Sequence, residues 1–176
     1  MFRYHASIVI MGVAGCGKSS LGVAVAQHIG LPLVEGDDHH SPDSLSKMRR
    51  GIALTDADRD GWLAALAKAL QDQPGGLVLT CSALKRIYRD RLRQAAPGLR
   101  FVYLDISREQ ALARVTERAA SHFFSTSLVD SQFTTLEPPT GEAGVLRVDA
   151  TAPLAQLEAQ VCNWLNSHSP ATKEQA

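Results

Sequence analysis

Gly12-Val13-Ala14-Gly15-Cys16-Gly17-Lys18-Ser19 decides the fold. The stretch spells GxxxxGKS, directly after the apolar run 7–11 and directly before a segment in which Leu21, Val25 and Ile29 recur at helical spacing. Glycines at these positions let backbone N–H groups turn inward around an oxyanion, and the N-terminus of the following helix adds its partial positive charge. Lys18 is then placed to reach β and γ phosphates, and the Ser19 hydroxyl to bind Mg²⁺. The alternative is a strand-to-helix turn that only packs tightly, but a full motif in the right context makes nucleotide binding the stronger reading.

Working outward from this loop, short runs of branched and aromatic apolar residues occur at 7–11, 32–34, 77–80, 101–104 and 145–148, each bounded by turn formers. They read as five strands. Between them lie segments at helical period: Leu21, Val25, Ile29; Leu63, Leu66, Leu70; Leu84, Ile87, Tyr88, Leu92; Ala111, Leu112, Val115; and Leu157, Val161, Leu165. Strands too apolar for one wet face, alternating with helices, predict an α/β three-layer sandwich around a five-stranded parallel sheet. Gly30 and Pro32 close the first helix, and Ser107 with Gln110 forms a capping box that opens the helix after the fourth strand. The expected layout is one domain over 1–168, with 119–143 as a lid and 169–176 as a disordered tail. The piece 122–144 is rich in serine, threonine and phenylalanine, carries Pro138 and Pro139, and is longer than a structural connection requires.

The chain of 176 residues balances 18 Lys and Arg against 18 Asp and Glu, so no overall field draws it to nucleic acid or to anionic lipid. Its three cysteines, Cys16, Cys81 and Cys162, form no CxxC pair, which argues against a disulfide framework or a structural zinc site. The N-terminus has neither a signal-peptide layout nor a membrane-spanning length, and a cytoplasmic location is the simplest expectation.

Nucleotide binding alone does not choose among a kinase, a switch GTPase and a motor ATPase. A guanine-reading NKxD loop is missing, because the only asparagines are Asn163 and Asn166 near the C-terminus. Asp105 ends the fourth strand where a Walker B aspartate would stand, but Ile106 follows in place of a catalytic glutamate, and a plain strand-end carboxylate is an equal reading. A small-molecule kinase needs a carboxylate near the acceptor hydroxyl, basic groups for the acceptor and a cover against water. Asp37 ends the second strand, which is expected beside the first, so its carboxylate can accept the hydroxyl proton or hold a metal-bound water. Its rival role, shared with Asp38, is a helix cap or turn. His39 and His40 lack a third spaced ligand and read as polar loop residues rather than a metal site. Arg59 sits one turn into a helix opened by Thr55 and Asp58. Arg86, Arg89 and Arg93 share one helix face, usually a solvated one, yet Arg89 suits an acidic acceptor through its bidentate fork. Arg114 and Arg118 stand just before the lid, where they can reach phosphates or stack on adenine, or pair with Glu117 or Glu109 at the surface.

Taken in order, MGVAGCGKS at 11–19, EGDDHH at 35–40, Lys47-Met48, LTDADRDGWL at 54–63, CSALKRIYRDRLR at 81–93 and HFFSTSLVDSQFTTLEPP at 122–139 resemble the bacterial gluconate kinase family as far as about residue 150. The resemblance implies ATP-dependent phosphorylation of D-gluconate at its 6-hydroxyl, in a nucleoside-monophosphate-kinase-like P-loop fold, as a homodimer. It implies an ATP and Mg²⁺ site over Gly12, Val13, Ala14, Gly15, Cys16, Gly17, Lys18, Ser19 and Ser20, with Arg114 and Arg118 from the lid side. Lys18 and Asp37 become the catalytic pair, Asp37 as base or, through water, as a metal-shell carboxylate. His40, Lys47, Arg59, Ser82, Lys85 and Arg89 become acceptor-side groups, with His122 and Gln132 in the cover. The chain departs from the family pattern at Ser41, Ser44 and Gly61, and in the spacing of Arg118 and His122, changes that touch the acceptor helix and the lid hinge. A shikimate-like or nucleotide-phosphorylating kinase, and a nucleotide-binding module without turnover, are the rival readings.

Overall fold

A computed structural model describes residues 6–118 and 125–168. The apolar run before the glycine loop forms β1 (Ile8–Met11), and Lys18 opens α1 (Lys18–Ile29). The chain continues as β2 (Leu33–Glu35), a 3₁₀ turn over Gly36–His39, α2 (Pro42–Arg49), α3 (Asp56–Gln71) and β3 (Val78–Thr80). It then forms α4 (Arg86–Ala95), β4 (Arg100–Asp105), α5 (Arg108–Arg118), α6 (Thr126–Thr135), β5 (Val145–Asp149) and α7 (Leu154–Ser167).

All strand pairings are parallel and the order is β2-β3-β1-β4-β5. The sandwich expected from the alternation of apolar runs is therefore the one observed. One placement is corrected: β2 pairs with β3, not with β1, because β3 is inserted between them with Ile10 opposite Thr80 and Glu35 opposite Thr80 on its other edge. Asp37 consequently reaches the glycine loop across the end of β3 rather than from an adjacent strand.

The two-residue side-chain period of a strand explains the layers. On β1, Ile8 and Ile10 face a core shared with Leu21 and Val25 of α1, Val115 of α5 and Val161 of α7. Val9 and Met11 face the opposite core, built with Trp62, Leu63 and Leu66 of α3 and Tyr88 and Leu92 of α4. Both faces of β1 are fully buried, which is why its sequence shows no alternation.

Two helices escape the apolar pattern. Ser41 caps α2 by accepting from the Ser44 N–H at 3.1 Å, with Pro42 in the first turn, while Ser125 caps α6 by accepting from Ser127 N. The expected cover thus contains a helix in its described part.

At Gly36 the backbone of the 3₁₀ turn lies so close to β3 that an added Cβ would stand 2.1 Å from the Thr80 carbonyl oxygen. Gly36→Ala must push β2 and β3 apart, and it is expected to destabilise the protein by about 3 kcal/mol. Thermal unfolding checks this, and an unchanged midpoint would contradict the packing described.

Candidate functional site

The carboxyl ends of β1, β3 and β2 open onto one cavity, as expected where ligands gather in parallel sheets. Ala14, Gly15, Gly17, Lys18, Ser19 and Ser20 line one side; Asp37, His40, Arg59 and Ser82 line the other, with Arg118 and Gln132 beside them. The loop that forms the first wall depends on Gly12, whose φ is 146° and where a Cβ would meet the Cys16 Sγ at 2.7 Å and the Leu104 carbonyl at 2.9 Å. Val13 and Cys16 are buried beneath the loop, so they shape it through their backbone.

Lys18 Nζ donates to the Gly12 and Val13 carbonyls at 3.0 and 3.1 Å, which folds the ammonium back across the loop mouth. Ser19 Oγ donates to Glu35 Oε2 at 3.0 Å, and Thr80 Oγ1 donates to the same oxygen at 2.5 Å. Thr80 Oγ1 in turn accepts from the Gly36 N–H. Glu35 is a site residue that motif reasoning passed over: it stands in the EGDD stretch, but its distance from Ser19 in sequence concealed the contact.

Asp37 projects into the cavity with His40 behind it, His40 Nε2 lying 3.7 Å from Asp37 Oδ1. The His40 ring, helped by the charge of Lys18, outweighs desolvation and holds the Asp37 carboxyl below the usual carboxylate range. His40 itself is stacked on Trp62, ring centroids 4.4 Å apart, and Trp62 Nε1 donates to the Gly36 carbonyl at 2.7 Å. Trp62 therefore fixes both the turn carrying Asp37 and the ring that tunes it, a role its apolar bulk alone did not reveal. Met48 and Ser131 also line the cavity without having been anticipated.

Arg59 is buried at the cavity wall, its Nη1 donating to Tyr88 Oη at 3.4 Å and its guanidinium lying over the Tyr88 ring. Tyr88 Oη donates to Asp56. A cation so desolvated, with the cavity on its open side, is suited to a carboxylate.

Four expected contacts are placed elsewhere. Lys47 donates to Asp58 at 2.7 Å, and Lys85 to both oxygens of Asp56 at 2.9 and 3.0 Å; neither lines the cavity, because the acidic first turn of α3 takes both ammonium groups. Arg89 is fully buried. Its guanidinium donates to the Ala83, Leu84 and Glu137 carbonyls and to Glu142, which leaves it no ligand to hold. Arg114 donates to the Gly15, Cys16 and Ala150 carbonyls and so braces the glycine loop from behind instead of lining the cavity. His122 lies outside the described residues. Asp105 accepts from Arg147 and Tyr103 and lines a separate pocket with Arg147 and Asp149, and so takes the strand-end reading.

Comparison with known proteins carries the site further. The family model described as shikimate kinase matches residues 14–132. A gluconokinase of Gluconobacter oxydans (strain 621H) is 42% identical over 144 residues, 80% of this chain and 80% of that protein. The chain belongs to the gluconokinase family of P-loop kinases. A thermoresistant gluconokinase of Escherichia coli (strain K12) is 40% identical over 154 residues, 85% of this chain and 87% of that protein. The crystal structure of a gluconokinase from Sinorhizobium meliloti 1021 superposes with a TM-score of 0.83 at 44% identity, covering 96% of this chain and all of that one.

Two stability predictions follow from the ion pairs around this site. Burial pushes the Glu142 carboxyl up, but Arg89 and Arg93 outweigh it and hold it below its ordinary range. Glu142→Gln strands the buried Arg89 charge and is expected to cost about 3 kcal/mol in denaturant unfolding; a cost near zero would contradict the burial. Asp58 is held down to about 2, first by Lys47 and then by the Thr55 N–H, from the ordinary 3.8. A depressed carboxyl adds stability above its unfolded pKa and loses it as pH falls through its folded one. The stability gap between the wild type and Asp58→Asn is therefore expected to be full at neutral pH and to close between about pH 4 and about pH 2. A gap that persists at the acid end would show that the Asp58 charge is not its source.

Proposed function

We propose that this protein phosphorylates D-gluconate with ATP at its 6-hydroxyl, giving 6-phosphogluconate. The observation that carries this reading is a single cavity in which the glycine loop faces Asp37, His40, Arg59 and Ser82. The loop amides, the N-terminus of α1 and Lys18 gather the phosphates of ATP. Arg59 takes the gluconate carboxylate, and His40, Ser82 and Gln132 hydrogen-bond near the acceptor. The acceptor hydroxyl then meets Asp37. A carboxylate held below its ordinary pKa is a weak base toward an alcohol, so Asp37 orients the hydroxyl and takes its proton as the bond to phosphorus forms, in keeping with a loose transition state.

Mg²⁺ fits the residues present. Ser19 Oγ is joined to Glu35, and Asp37 lines the same cavity, so the donors are hard oxygens of the kind this ion takes along with water and phosphate. Ser19 would hold it directly and Asp37 through water. When bound, Mg²⁺ neutralises phosphate charge. Arg118 belongs with the nucleotide, and Arg114 acts on it through the loop backbone. Within a single kinase domain, residues 125–143, the described part of the expected cover, act as a cover over the phosphates; 119–124 and the expected tail 169–176 lie outside the described residues. Among the described residues no helix is long and apolar enough to cross a membrane, and we take the protein to be a cytoplasmic homodimer on the strength of the family resemblance.

Coupled ADP-release assays across sugar acids, shikimate and nucleoside monophosphates test the substrate. Turnover is expected with gluconate and to vanish in Lys18→Ala; turnover with shikimate or a nucleotide but none with gluconate would overturn the reading. Arg59→Lys, which loses the bidentate fork, is expected to raise the KM for gluconate at least about tenfold with the KM for ATP little changed. Equal changes in both would remove Arg59 from the acceptor end.

A further inference from the structure

Gln132 makes one contact that acceptor binding does not explain. Its side-chain oxygen accepts the Ala14 N–H at 2.7 Å, across 118 residues of chain. Because that backbone group can only donate, the atom facing it is Oε1, and the two donors of Nε2 are turned elsewhere. Among the described residues the Gln132 side chain has no other hydrogen bond, and it lines the cavity together with Ala14, Lys18 and Asp37.

The helix that carries it is tied to both halves of the cavity. Near the start of α6, Ser127 Oγ donates to the Gly51 carbonyl at 3.2 Å, just beyond α2. After its end, Glu137 N–H donates to the Leu84 carbonyl at 2.8 Å, and the Glu137 carboxylate accepts from Arg86 N–H at 2.8 Å. Arg108 of α5 holds Asp130 at 2.6 Å. The ends of α6 thus rest on segments flanking the acceptor residues, while Gln132 in its last turn touches the glycine loop. The Gln132 side chain thus touches the loop that would hold the phosphates and lines the cavity that this loop shares with Asp37, where the end of a triphosphate would come.

We propose that Gln132 is a contact to the terminal phosphate of ATP: Nε2 donates to a γ-phosphate oxygen while Oε1 keeps the Ala14 N–H engaged. This rests on the ATP-dependent kinase reading and adds to it a role in telling ATP from ADP. A donor that reaches only the terminal group strengthens the bound triphosphate and leaves the diphosphate product without that contact. An amide suits the task because it presents an acceptor to the loop and a donor to the anion from one side chain, which neither a carboxylate nor an ammonium can do.

Calorimetric titration of the full chain with a non-hydrolysable ATP analogue and with ADP, both in Mg²⁺ and without acceptor, tests the assignment. Gln132→Met removes both functions at similar size, and it is expected to weaken the ATP analogue about tenfold while changing ADP by less than about twofold. Gln132→Glu keeps an acceptor for Ala14 but sets negative charge against the phosphate, so its loss for the ATP analogue should exceed that of Gln132→Met. Thermal unfolding of both variants confirms that they are folded. Equal weakening of both nucleotides would mean that Gln132 only fastens α6 to the loop, and no weakening of either would mean that it does not meet the phosphates; each overturns the proposal. Failure of the wild type to use gluconate is read in a separate assay and would leave the comparison of ATP with ADP intact.

Discussion

The inward turn of the backbone at 12–19 is the constraint on which the rest of the structure depends. It gathers N–H donors at the mouth of a helix, and it exists only because Gly12, Gly15 and Gly17 take positive φ and Gly12 leaves no room for a side chain. Such a loop needs support from outside itself. Arg114 holds its carbonyls from behind, Gln132 holds the Ala14 N–H from the front, and Glu35 ties Ser19 to Thr80 on the sheet. The parallel sheet supplies the rest, since it brings the ends of β1, β3 and β2 to one side.

Charge is distributed around this loop by pairing. The acidic first turn of α3 occupies Lys47 and Lys85, so the cations left lining the cavity from the described residues are Lys18, Arg59 and Arg118, with His40 beside Asp37. Arg89 does its work inside the protein: through Ala83, Leu84, Glu137 and Glu142 it fastens the segment after β3 to the segment after α6. Ala83 takes a left-handed φ of 46° beside Ser82, and the Arg89 contact with its carbonyl helps to keep that corner in place. The CSALK and LEPP stretches are thus joined in space although they lie far apart in the chain. A buried pair of this kind contributes little net stability, and here it fixes the segment after β3 against the segment after α6.

Much of the architecture was legible because both faces of the sheet are buried, so the strands at 7–11 and 101–104 read as continuous apolar runs. Strand order was not legible, since nothing in the sequence of β2 distinguishes β1 from β3 as its neighbour. The short α2 has few apolar residues, and α6 is rich in serine and threonine; tertiary contacts through Leu128, Val129 and Ser127 hold what local propensity would not. At the candidate site, the glycine loop and Asp37 could be proposed from residue type and position, and the structure sets both on one cavity. Glu35 and Trp62 were not, because each acts through a partner distant in sequence. Lys47, Lys85 and Arg89 stand off the cavity for a reason of the same kind: a basic residue announces its charge but not the carboxylate that claims it.

The central claim is that one cavity holds the end of a triphosphate against Lys18 and a sugar-acid hydroxyl against Asp37. A crystal structure with a non-hydrolysable ATP analogue and D-gluconate tests it most directly. The account predicts the γ-phosphate between Lys18 and the 6-hydroxyl, that hydroxyl within hydrogen-bonding reach of Asp37, and the gluconate carboxylate on Arg59. Gluconate bound with its carboxylate toward the phosphates, or bound outside this cavity, would contradict it.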